Sequence, residues 1–335
     1  MLKKISLVFL MLFLIISILS FSPVAAEKIV IEDYQGEIVE IEKPVEKIVC
    51  MSPAMVEILI ILEGEEKIIA RTEMDDDLLS SAQNIPVVGS SSNRPQIEAV
   101  LELEPDLIIA DTMLSDRNRE IFESFGIKVV VESTSDPDRL DQVIDNFALI
   151  LDKKEKAEEL KSFMAEYEDL IKNRLAEIDS EERPLVYWEW RGKYRTGTSK
   201  ATVDPLINFA GGINIAHDLE GSYPVVSSEF VWEENPDVIV KMASRDDSLA
   251  DMKNSRDELM DRDALKDTNA VKNDRVHIIS WDVQNGVFSI IGKLYYAKFF
   301  HPDIFADIDP GSIREEMLNR FFEQDEFDSA VYPAQ

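Results

Sequence analysis

The chain has 335 residues, of which 66 are acidic, 35 basic and 45% hydrophobic, and its formal net charge is −31. That apolar share supports a large core, so the heavy charge is not a mark of disorder; the length suits two ordinary domains or one large one. The charge excludes nucleic acid and anionic lipid as partners unless a local basic patch exists, and its plainest reading is solubility.

Residues 1–26 read as an export leader. Lys3 and Lys4 form a basic start, Ile5 to Phe21 is interrupted only by serines, and Val24-Ala25-Ala26 supplies small residues for a peptidase. The run from Ile5 to Phe21 is shorter than a spanning helix ordinarily needs, so cleavage before Glu27 and retention as an uncleaved N-terminal anchor are both open. Either places residues 27–335 outside the membrane, in the periplasm or on the outer face of the cytoplasmic membrane.

Residues 28–41 alternate around Gly36 and read as a hairpin. Short apolar runs at 48–51, 67–70, 107–110 and 128–131 then read as strands, and 55–62, 97–103 and 117–125 as helices. This alternation predicts an α/β layer with a mainly parallel sheet. From Arg139 to Ile178 apolar residues keep helical spacing throughout, broken by Asp152-Lys153-Lys154-Glu155. Its second part, 154–178, spans about 37 Å as a helix and reads as a strut. After Pro184 the alternation resumes, with strands at 185–188, 238–241 and 276–280. Helices are expected at 204–210, 229–234, 259–265 and 312–322. The expected organisation is a leader (1–26), an N-terminal α/β lobe (27–137), a connecting helical segment (138–180) and a C-terminal α/β lobe (181–335).

Cys50 is the one cysteine, which excludes an intrachain disulfide framework and any site with several thiolates. His217, His277 and His301 lie far apart and read as lone structural or surface residues, so neither a metal centre nor a cofactor is expected.

The halves resemble each other. Ile97–Ile109 and Ser228–Val240 each run helix, turn, strand, with Glu98 and Glu229 at the same spacing before a Pro-Asp pair. Pro-Val-Val and serines precede both.

With Lys47–Met51 leading into Ser52-Pro53, the segment 209–215 and the tail His301-Pro302-Asp303-Ile304-Phe305, these features make the chain resemble the helical-backbone (class III) substrate-binding proteins of ABC importers. That periplasmic-binding family serves iron-siderophore complexes, haem and cobalamin. The resemblance covers nearly all of 45–325. It implies an α/β fold of two Rossmann-like lobes with mainly parallel sheets, joined by one long α-helix, and a ligand cleft between the lobes. It also implies a non-enzymatic protein that delivers a metal chelate, most simply an iron-siderophore-type complex, to the transmembrane subunits of an ABC permease. Cobalamin and haem are alternative ligands. A chelatase-like enzyme is a weaker alternative, because its metal ligands, cysteine or histidine at set spacing, are missing.

Two sets of site residues follow. Glu98 and Glu229 match the family's permease-docking glutamates, although first-turn carboxylates also favour the helix dipole in their own right. For the ligand, residues 187–200 hold four aromatic and four basic side chains in an acidic chain, just after a strand, where open α/β sheets bind ligands. Arg191 and Arg195 suit carboxylate or catecholate oxygens, Trp190 and Tyr194 suit a planar face, and Trp188, inside the strand, is read as core. From the first lobe the resemblance adds Ser52, Ser92, Asn93, Arg94 and Asp111, and from the second Trp281 and Asp282. An arginine common in the family after Val276–Ser280 is replaced by Val287-Phe288-Ser289, which shifts anion binding onto Arg191 and Arg195.

Overall fold

The structure, a computed structural model, describes residues 27–74, 80–244, 247–322 and 331–333. The leader predicted over 1–26 lies outside the described residues, and among these no helix is long and apolar enough to cross a membrane.

The chain enters through an antiparallel hairpin of β1 (Lys28–Glu32) and β2 (Ile38–Glu42). Alternation buries Ile31, Val39 and Ile41. The Asp33 carboxylate closes the turn by accepting the Gln35 and Glu37 amides at 2.9 and 3.0 Å. The first lobe follows: β3 (Ile48–Met51), α1 (Pro53–Ile61), β4 (Ile68–Arg71), α2 (Ile97–Glu102), β5 (Leu107–Asp111), α3 (Asp116–Ser124) and β6 (Lys128–Glu132). Its sheet is wholly parallel, in the order β4-β3-β5-β6. Helices cover both faces, which is why these strands read as unbroken apolar runs rather than alternating ones.

Two helices then connect the lobes, α4 (Leu140–Leu151) and α5 (Lys154–Leu175). They are separated at Asp152, whose φ of +58° ends α4 in a left-handed turn. At 22 residues α5 is about 33 Å long. It stops short of the expected Ile178. Asp179 caps the short turn Ser180–Glu182 instead, leading the chain into the next strand.

The second lobe comprises β7 (Leu185–Trp190), α6 (Val203–Phe209), β8 (Ile213–Asn214), α7 (Ser228–Glu234), β9 (Val238–Ala243), α8 (Leu249–Met260), α9 (Asn269–Lys272), β10 (Val276–Ser280), α10 (Ser289–Phe300), α11 (Pro310–Phe322) and β11 (Val331–Tyr332). Its sheet runs β11-β10-β9-β7-β8, parallel except for β11. The helix expected at 259–265 is displaced. Ser248 and Asp251 form a capping box that starts α8 at Leu249, and the chain leaves helical geometry after Met260. Leu259 and Leu265 are both buried, which gave the misleading helical spacing. α10 carries apolar residues on every side and is buried nearly all round, with Lys293 and Lys298 at separate positions, so it carries no amphipathic signal. Its Gly292 meets Val283, where a Cβ would lie 2.0 Å from the carbonyl oxygen; only glycine allows this approach.

The internal repeat has a physical basis. β5 pairs with β3, and β9 with β7, so the repeated strands take equivalent places beside each lobe's first strand. Each Pro-Asp aspartate clamps that first strand. Asp106 accepts the amides of Glu46 and Lys47, both at 2.9 Å, and Asp237 accepts Leu185 N–H at 3.0 Å.

One apolar cluster runs through both lobes and the strut, from Ile48 and Met55 through Leu160 and Phe163 to Trp188, Tyr296 and Phe321. Phe163 meets Phe321 edge-on at 5.7 Å. A hinge motion that parted the lobes would expose this shared core, so large opening is costly at about 25 cal/mol per Å².

His277 is buried at 5% exposure and stacks on Phe299 at 4.1 Å. Burial, reinforced by Arg275 and Arg256, pushes its pKa down to about 3. It is therefore neutral in the fold, while the unfolded imidazole takes up a proton below about pH 6.5. Stability is present above that pH and is lost as pH falls toward 3, by up to about 1.4 kcal/mol per unit. Urea unfolding at pH 6, 5 and 4 checks this: the His277→Phe protein should lose less than the wild type over the interval. Equal losses contradict it.

Candidate functional site

Segments that follow strand C-termini in the two lobes touch. Gly286, after β10, donates its N–H to the Thr134 carbonyl after β6 at 3.3 Å, and a Cβ on Gly286 would lie 3.2 Å from Ala54 Cβ at the start of α1. The φ of +57° at Gly286 permits this turn. The C-terminal edges of the two sheets therefore face one another across a crevice, where α/β sheets hold ligands.

On the second-lobe wall an aromatic group forms at the ends of β7 and β10, which flank β9. Trp190 stacks on Trp281 with centroids 6.0 Å apart and planes 18° apart, and Tyr223 closes on Trp190 at 4.9 Å. Trp188 lies beneath, 2% exposed, its Nε1 donating to Tyr296 Oη at 3.0 Å. Beyond Trp190 the chain turns tightly: Arg191 and Tyr194 both have φ near +60°, and Trp190 N–H bonds the Arg195 carbonyl at 2.9 Å. Two left-handed non-glycine residues in one turn cost of order 1–3 kcal/mol each. The turn sets the Arg191 guanidinium 4.5 Å and that of Arg195 5.9 Å from the Trp190 ring, with both residues exposed. The arrangement is an aromatic face rimmed by two cations, suited to a planar, anionic or acceptor-rich group.

Glu189, which carries no signal in the sequence, holds this turn. It is fully buried and accepts five hydrogen bonds: two from Arg262 at 2.5 and 2.9 Å, and one each from Lys241 (3.2 Å), the Tyr187 hydroxyl (3.0 Å) and the Tyr194 amide (2.8 Å). Burial alone would raise its pKa, but the guanidinium bonds outweigh it and the carboxyl is held below its usual range. Tyr194 therefore stands apart from the other aromatics: its ring lies 5.2 Å from the Arg262 guanidinium and packs on the second lobe's core. Lys193 pairs with Glu258 at 2.6 Å.

The first-lobe residues make their own group. Ser52 is buried as the residue before α1. Ser92, fully buried, donates to Asp111 Oδ1, which also accepts the Met113 amide at 2.9 Å; burial pushes the Asp111 carboxyl up. Asn93 accepts from the Ser91 hydroxyl at 2.6 Å, and Arg94 is exposed beside it. This set ties loop 90–94 to the end of β5. Asp282 begins the short helical turn after β10, where its carboxylate accepts the Ser280 hydroxyl at 2.9 Å. Glu98 and Glu229 are exposed in the first turns of α2 and α7, and bonding to its own first-turn backbone amide and to Ser228 lowers the Glu229 pKa.

Two spaces lie along the crevice. The recess among Trp190, Tyr223 and Trp281 is small, about 20 Å³, and Gln284 and Asn285 border it. A cavity of about 240 Å³ adjoins it between loop 134–141, the strut and α6 and α10, and the two share Thr202, Leu206 and Gln284. Neither Gln284 nor Asn285 carries any signal in the sequence beyond its closeness to Trp281.

Residues 48–282 match the family model described as periplasmic binding protein. A cobalamin-binding protein of Halobacterium salinarum is 26% identical over 219 residues, which are 64% of this chain and 58% of the relative's own length. The high-affinity haem uptake system protein IsdE of Staphylococcus aureus is 23% identical over 195 residues, 58% of this chain and 66% of that one. Among solved structures, the molybdate periplasmic binding protein MolA of Haemophilus influenzae, bound to molybdate, superposes with a TM-score of 0.75 over 90% of this chain and all of that one, at 18% identity.

Proposed function

Because this chain belongs to the periplasmic binding protein family, we propose that it is the extracytoplasmic substrate-binding component of an ABC importer, capturing a metal chelate between its lobes and passing it to the permease. It performs no chemistry on its cargo. The observation that carries the reading is the Trp190–Trp281 face flanked by Arg191 and Arg195 in the crevice, a cationic, aromatic patch in a chain of charge −31. Such a surface takes a flat or apolar ligand body with negative or acceptor oxygens at its edge. The first-lobe group of Ser52, Ser92, Asn93, Arg94 and Asp111, with Asp282 from the second lobe, is proposed as the polar part of the same cleft.

An iron-siderophore-type complex is the first candidate. Cobalamin and haem are the alternatives favoured by the names of the two curated relatives. The Arg191→Ala, Arg195→Ala double substitution tests the anion cradle. Affinity for ferric siderophore, measured by calorimetry, should fall about a hundredfold, the loss of two charge-assisted contacts at roughly 1.5 kcal/mol each. Unchanged affinity for an anionic chelate that the wild type binds would refute the cradle. Docking to the permease is proposed through Glu98 and Glu229.

A further inference from the structure

The aromatic recess is too small for a ligand to enter without moving its rings, while the neighbouring cavity, about 240 Å³, is large and reaches the strut. A cavity well below that size already holds a benzene ring. Thr202, Leu206 and Gln284 belong to both linings, so the two are adjoining rooms. Two donors serve them. Asn285 Nδ2, on the recess, is buried and has no hydrogen-bond partner among the described residues. A buried donor without a partner costs about 1–3 kcal/mol. Lys293, on the cavity, is 9% exposed and hydrogen-bonds Glu168 of the strut, with its ammonium 4.9 Å from the Phe209 ring. An ammonium has three donors, so capacity remains for a ligand oxygen.

We infer that the cavity is the second room of the ligand cleft and takes a neutral, amide-bearing arm of the chelate whose body covers Trp190 and Trp281. The inference rests on the chelate-binding reading above. Charge selects the arm. Glu168 lies inside, and the exposed Asp138 and Asp141 line the same space, against the single Lys293. Lys172 bonds Glu168 at 3.4 Å from outside the lining, and three carboxylates against two ammoniums still disfavour a carboxylate arm, whereas an amide oxygen accepts from Lys293, or from Asn285 at the border with the recess, without like-charge repulsion. An arm in this room contacts the first lobe, the strut and the second lobe together, so it reports closure of the crevice on its ligand.

The test uses cyanocobalamin, its monocarboxylic acids (one arm amide hydrolysed to carboxylate), haemin and ferric siderophore as probes, with affinities measured by calorimetry on the wild type, Asn285→Leu and Lys293→Met. Expected is binding of cyanocobalamin, with at least one monocarboxylic acid weaker by about tenfold, and cyanocobalamin itself bound several-fold more weakly by Asn285→Leu and by Lys293→Met, each of which removes a donor for the arm oxygen; Lys293→Met, which keeps its stem on Phe209, covers the case where the first variant does not fold. If the wild type binds amide and carboxylate forms alike and both variants bind as it does, the second room is refuted while the chelate reading stands. If no probe of any kind binds the wild type, the chelate reading fails and takes the second room with it.

Discussion

Replacing Glu189 by alanine should destabilise the protein by about 3–5 kcal/mol, the range for removing one partner of a buried ion pair. The carboxylate is the common acceptor for Arg262, Lys241, Tyr187 and the Tyr194 amide. Without it Arg262, 8% exposed, keeps Glu258 alone as an ionic partner among the described residues, and Glu258 lies toward solvent. The left-handed turn at Arg191 and Tyr194 loses the bond that fixes its far side. Affinity for a chelate should therefore fall together with stability, since the two guanidiniums over Trp190 are set by that turn. Urea unfolding reads the first effect and calorimetry the second. Glu189→Gln keeps an acceptor oxygen for part of the network and should lose less. The double change Glu189→Met, Arg262→Met removes both charges and should recover much of the stability, as replacing a buried pair by apolar groups often does. A Glu189→Ala protein as stable as the wild type would mean that the pair is not buried as described.

Reversing both carboxylates proposed for docking, Glu98→Lys with Glu229→Lys, should abolish uptake through the permease while ligand affinity stays within about twofold. Both residues are exposed, and neither forms an ion pair with another described residue. They stand at the same place on α2 and α7, in units whose Pro-Asp aspartates clamp the first strand of each lobe in the same way. A partner with two equivalent basic surfaces fits such a pair, and arginine binds an exposed carboxylate bidentately. The helix-dipole contribution of each glutamate, about 0.3–1 kcal/mol, is too small for reversal to unfold the lobes. Uptake in a strain supplied only with the variant, beside calorimetry on purified protein, separates the roles. Uptake at the wild-type rate would refute docking at these residues.

The lobes, the strut and the repeat were legible because strands buried on both faces of a parallel sheet read as apolar runs, and because Asp106 and Asp237 recur at fixed spacing for a local reason, the clamping of a neighbouring strand. α10 was not legible: a helix with apolar residues all round has no period, and Gly292 reads as a breaker although it serves a close approach to Val283. Of the proposed site, clustered Trp190, Arg191 and Arg195 stand out in the sequence as an aromatic and basic run. Glu189 does not, since one acid among 66 is silent until Arg262, far along the chain, is brought beside it. Asn285 is silent for the same reason: its interest lies in what its amide lacks, and only packing reveals that.

Binding of a metal chelate to the aromatic face is tested most directly by titrating the purified protein with ferric siderophore, haemin and cyanocobalamin while following tryptophan fluorescence. Trp190 and Trp281 lie stacked on that face, so a bound chelate should quench emission saturably at micromolar concentration or below, and Trp190→Ala with Trp281→Ala should remove most of the quenching and weaken binding. Saturable binding of none of the three, with emission unchanged beyond simple absorption by the ligand, would contradict it.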